Sequence, residues 1–139
     1  MAVWATLSHG YYPAFVDYPG GYSLSRETFT VLCTEVINGI LRAAARALVV
    51  LNAGISAIGP LRAAIGRSRR PSPVKLANVY EGANYRAPTA PLEEQARGSH
   101  ADELEAAIML AITAKSVRLS LAQTYTHEMM PGLVQPYQS

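Results

Sequence analysis

The stretch from Ser99 to about Met129 restricts this chain more than any other, because apolar residues nearly encircle the helix it predicts. Leu104, Ala107, Ile108, Ala111 and Ile112 make one stripe, and Leu110, Ala114, Val117, Leu121 and Tyr125 make another. Such a helix needs neighbours on more than one side. A chain of 139 residues, half of them apolar, has room for one core. Two or three helices make a thin bundle, so the coverage is expected to come from other subunits.

The other helical signals agree with this picture. Ser25 is placed as N-cap of a helix opening Arg26-Glu27-Thr28, with Glu27 near the positive end of the dipole. Phe29, Leu32, Val36, Ile37, Ile40, Leu41, Ala44, Leu48 and Leu51 then recur at threes and fours, which predicts helix to about Leu51. Gly54, Gly59 and Pro60 break it, and Leu61 to about Arg69 resumes as a short basic helix until Pro71 and Pro73. Ser99 and Asp102 resemble a capping box at the start of the second long helix, which Met130-Pro131-Gly132 ends.

Three segments lack helical periodicity. Residues 1–24 form an aromatic arm in which Trp4, Tyr11, Tyr12, Phe15, Tyr18 and Tyr22 alternate with Gly and Pro. Six large rings, each burying roughly 150–250 Å² when packed, are expected to lie on a surface of their own domain or a neighbour's. Residues 71–98, with Pro71, Pro73, Pro88 and Pro91, form a second extended segment, and residues 131–139 a tail carrying Tyr137. The expected fold is all-α: one domain over residues 1–139, with 25–70 and 99–130 as the helical parts, completed by subunit assembly. Trp4, Tyr11, Tyr12, Phe15, Tyr18, Tyr22, Tyr125 and Tyr137 are the expected interface rings.

Charge is unevenly distributed. Over residues 42–86, Arg42, Arg46, Arg62, Arg67, Arg69, Arg70, Lys75 and Arg86 face Glu81 alone, a net +7, whereas residues from Ala87 onward sum to −3. A polyanion suits the basic middle, since arginine forks match phosphate oxygens; an Arg-to-Glu contact between subunits suits it as well. Neutralising about six phosphates makes binding fall with roughly the fifth power of salt. These eight cations are the expected nucleic-acid contacts, without a motif for reading bases.

Local spacing offers little chemistry. His9, His100 and His127 have no metal-ligand spacing from one another or from Cys33, which reads as a small buried apolar group. Gly54 to Gly59 has phosphate-loop glycine spacing, but Pro60-Leu61 follows where Lys and Ser or Thr are required. Glu93, Glu94, Glu103 and Glu105 read as helix-dipole or solvated acids. No cofactor and no catalytic residue is expected. Met1-Ala2-Val3-Trp4 does not resemble a secretory signal. The fifteen uncharged residues from Ala47 to Leu61 fall short of the about twenty a membrane helix needs, although a short membrane hairpin stays open.

The long helices at 26–51 and 99–129, the Arg62–Arg70 segment and the aromatic ends, including Pro136-Tyr137-Gln138-Ser139, together resemble the major coat proteins of filamentous and rod-shaped archaeal double-stranded DNA viruses. The resemblance implies a non-enzymatic virion subunit. Such a subunit assembles with copies of itself or a paralogous coat protein, packages double-stranded DNA, and takes a lipid envelope in some particles. The rival expectations are a nucleic-acid-free filament or pilus subunit and a small membrane-associated helical protein. An enzyme ranks last.

Overall fold

A computed structural model describes residues 2–4, 6–17, 19–43, 46–68, 73–94 and 102–122. Helix α1, Arg26–Arg42, begins as expected: the Ser25 hydroxyl accepts a hydrogen bond from the Thr28 backbone N–H at 3.1 Å. Phe29, Cys33, Ile37 and Leu41 recur every fourth position, so they line one face, and all four are buried. The helix stops nine residues before the expected end at Leu51. The reason lies in Leu48–Asn52, which forms strand β1 instead. Leu48 and Val50 pack on the core while Val49 and Leu51 are exposed, an alternation that suits β-branched residues in a pleated strand.

From β1 the chain passes through a 3-10 turn, Ile55–Ala57, into helix α2, Ile58–Gly66, and returns as strand β2, Val74–Asn78. The strands pair in parallel, with Leu48 opposite Val74 and Asn52 opposite Asn78. Parallel pairing requires a crossover, which α2 supplies. Pro73 lies just outside β2, where its missing N–H costs nothing and its carbonyl accepts from Leu48 N–H at 3.0 Å.

The core therefore lies between α1, α2 and one face of this sheet. Ala57, Leu61 and Ala64 meet the α1 stripe, with Leu48, Val50, Val74 and Leu76 packed against the cluster from the strands. This α/β arrangement corrects the all-α expectation. The segment 71–98, read as irregular, contains β2 and helix α3, Ala83–Thr89.

Cys33 is buried, as its sequence setting indicated, and burial pushes its thiol from the ordinary 9.0 up to about 11. The folded state then holds the thiol proton over a pH range in which the unfolded state has lost it. Stability from this group is present below about pH 9 and falls as pH rises toward 11. Iodoacetamide at pH 8 is accordingly expected to alkylate Cys33 far more slowly in the native protein than in urea, measured by mass spectrometry; equal rates would contradict its burial.

The later part of the N-terminal arm, from Gly10 to Leu24, folds back on this same body. Leu24 N–H donates to the Gly10 carbonyl at 2.9 Å and Tyr12 N–H to the Ser23 hydroxyl at 2.7 Å, closing residues 10–24 into a loop. Tyr11 packs on the core, whereas Trp4 and Tyr22 remain exposed.

The chain divides into two compact units, Met1–Gly82 and Ala83–Ser139. In the second, α3 is followed by helix α4, Glu103–Thr113, whose N-cap is Asp102 itself, accepting from Glu105 N–H at 2.9 Å. This corrects the expected start, for Asp102 is the cap and not the N3 partner of Ser99, which lies outside the described residues. The expected long helix is also shorter: Thr113 turns away from helical geometry, and 3-10 turns follow at Ala114–Ser116 and Leu119–Leu121. Ile108, Met109 and Ile112 of α4 are exposed.

Candidate functional site

In open α/β sheets, ligands sit beyond the carboxyl ends of parallel strands, where loops leave the sheet and helix N-termini arrive. Here that edge carries Asn52 and Asn78, the last residues of β1 and β2 and partners in register. Asn52 is 8 % exposed, so its amide needs internal partners. Its Nδ2 donates to the Gly54 carbonyl at 2.9 Å and to Asn78 Oδ1 at 2.8 Å, and its Oδ1 accepts from Gly54 N–H at 3.1 Å. Strand pairing continues one step further, with Val79 N–H donating to the Asn52 carbonyl at 2.9 Å.

The row ends in charge. Asn78 Nδ2 donates to Glu81 Oε2 at 2.7 Å, and Glu81 Oε1 lies 3.8 Å from the Arg62 guanidinium on α2. Asn78 orients one carboxylate oxygen while Arg62 partly balances the other. Arg62 is 66 % exposed, so the pair contributes little to stability, and both groups are open to a ligand. At the opposite end, Tyr12 lies beside Gly54.

Two of the expected phosphate-binding cations lie in ion pairs within the first unit. Arg62 is paired with Glu81, and Arg67 bonds Glu27 at 2.9 Å, joining the end of α2 to the start of α1. That bond holds the Glu27 carboxyl below its ordinary value. Arg42 ends α1, Arg46 lies exposed between α1 and β1, Lys75 alternates away from the core on β2, and Arg86 belongs to α3 in the second unit. Arg69 and Arg70 lie outside the described residues. Of the expected interface rings, Tyr11 packs on the core, Tyr12 stands beside Gly54 and stays partly exposed, Trp4 and Tyr22 are exposed, Phe15 closes a 3-10 turn, Pro13–Phe15, and Tyr18, Tyr125 and Tyr137 lie outside the described residues.

The sequence reading missed Asn52, Asn78 and Glu81. A turn-forming Asn-Ala-Gly immediately after Leu-Val-Val-Leu is the available signal, but the helical periodicity puts it near a helix end. Among the described residues, no group of three or more His, Cys, Asp or Glu side chains could hold a metal ion. His9, the one histidine described, has its Nδ1 3.0 Å from the Ser8 hydroxyl and stands edge-on to Tyr22 with ring centroids 5.6 Å apart. Among these residues, no helix is long and apolar enough to cross a membrane.

No curated protein and no solved structure matches the chain. The family model described as Creatininase: Creatinine amidohydrolase matches residues 1–136. That match overturns the resemblance to viral coat proteins, and with it the expectations of a virion location, DNA packaging, a filament or pilus subunit, a membrane-associated protein and a non-enzyme. Helices and an aromatic arm are generic features, and the strands that distinguish this fold were hidden in a short apolar run. The chain belongs to the creatininase family of amide-hydrolysing enzymes.

Proposed function

We propose that the chain hydrolyses the amide of a small cyclic substrate of the creatinine type at the carboxyl edge of the β1/β2 sheet, with Glu81 as general base and acid. The observation that carries this reading is a carboxylate aimed by Asn78 and bordered by Arg62 at the edge where such folds bind ligands. Glu81 takes a proton from water as the water oxygen bonds to the amide carbonyl carbon. The resulting oxyanion is stabilised by the Arg62 guanidinium. As the C–N bond breaks, Glu81 returns the proton to the leaving nitrogen, opening the ring to one product that carries both the new carboxylic acid and the freed guanidino nitrogen.

A metal ion, which membership of this hydrolase family implies, does not fit the described residues. Cys33 is in the core, His9 is engaged with Ser8 and Tyr22, and the Arg62 cation stands where a second cation beside Glu81 would be repelled.

The test is incubation of the purified chain with creatinine, following creatine by proton NMR. Product proportional to time and protein concentration is expected; product no faster than the buffer blank would overturn the proposal.

A further inference from the structure

We infer that the Tyr12 ring is the flat wall of this site, against which a planar cyclic amide stacks, and that Gly10 exists in its present form to admit the ring. The inference rests on the amide-hydrolysis reading above and adds a specificity-determining residue to it. A Cβ built on Gly54 would lie 3.5 Å from Tyr12 Cε1 and 3.8 Å from Asn52 Oδ1, so the ring borders the hydrogen-bonded row at its Asn52 end. Glu81 ends the same row on the other side, through Asn52 to Asn78 and Asn78 to Glu81.

The backbone that carries the ring is tied down, and the ring is left accessible. Its backbone N–H is tied to the Ser23 hydroxyl, which in turn donates to the Leu24 carbonyl at 2.8 Å, while Leu24 N–H closes onto Gly10. A Cβ on Gly10 would fall 2.5 Å from Tyr12 Cε2 and Cζ and 2.6 Å from its hydroxyl oxygen, so any side chain there displaces the ring. Tyr12 nevertheless remains 39 % exposed, an aromatic surface that its own unit does not cover. Aromatic faces prefer flat, polarisable partners in offset stacks, and a compact cyclic amide is such a partner. A ring carried on a tethered backbone and seated over Gly10 has less freedom left to lose on stacking.

The experiment is steady-state hydrolysis of creatinine by the full chain and by Tyr12→Phe, Tyr12→Leu and Gly10→Ala, with folding checked by circular dichroism. Tyr12→Leu and Gly10→Ala are expected to raise KM roughly tenfold with kcat within about twofold, and Tyr12→Phe to retain the native KM. A folded Tyr12→Leu variant with the native KM, beside an active wild type, would overturn the stacking role while leaving the hydrolysis reading intact. Absence of turnover in the wild type would remove both.

Discussion

Glu81→Gln is expected to reduce kcat about 10²- to 10⁴-fold, the usual range for losing a positioned general acid–base group. Glutamine has nearly the shape of glutamate, and its amide oxygen can still accept the Asn78 hydrogen bond, so the row Asn52–Asn78–residue 81 stays formed. What disappears is the ability to take and return a proton, together with the partner charge of Arg62. Because that ion pair is largely exposed, its loss is expected to leave the melting temperature almost unchanged. The separation of a large kinetic effect from a small stability effect is the diagnostic. If kcat stays within about threefold of the native value, Glu81 does not move the proton.

The largest effect on stability is expected from Leu41→Ala. Leu41 is 1 % exposed, on the last turn of α1, in the cluster formed with Phe29, Cys33, Ile37, Ala57, Leu61 and Ala64. Truncation removes buried methyl groups and leaves a cavity that fixed neighbours fill only in part, a loss of about 2–5 kcal/mol. Against a typical total of about 5–15 kcal/mol this is a large share. For a small unit it lowers the thermal midpoint by about 10 °C or more, measured by circular dichroism or calorimetry. Leu51→Ala is the matched control. Leu51 is 75 % exposed on the other face of β1, and its truncation is expected to change stability by no more than about 0.5 kcal/mol. Equal destabilisation by the two substitutions would contradict the division of β1 into a core face and an open face.

Leu48 and Leu51 show why the fold was misread. Spaced by three, they continued the α1 periodicity, but Leu48-Val49-Val50-Leu51 is equally an alternating strand, and a run this short does not decide between the two. The decision comes from Val74–Asn78, 26 residues further on, whose backbone groups pair with those of β1. The charge balance of the basic middle depends on the fold in a related way. Arg62 and Arg67 look unopposed along the chain, yet folding brings Glu81 and Glu27 to them, the latter from 40 residues away.

Local chemistry was legible without coordinates. Ser25 starts α1 because a hydroxyl at that position accepts the orphan N–H of Thr28, and Cys33 is buried because it falls on the apolar stripe with Phe29 and Ile37. Gly54 falls in the turn after β1, as a helix breaker suggests, but Gly59 and Pro60, expected to interrupt the helix before Leu61, lie in the first turn of α2. The candidate site was not legible. Asn52, Asn78 and Glu81 acquire their meaning only when two strands pair in parallel and stop at the same level, and Tyr12 joins them only when residues 10–24 close back on the body. Hydrogen bonds inside one helix connect residues four apart and leave a periodic trace in the sequence. Bonds between strands connect residues at any separation, and the site built on them belongs to the tertiary structure.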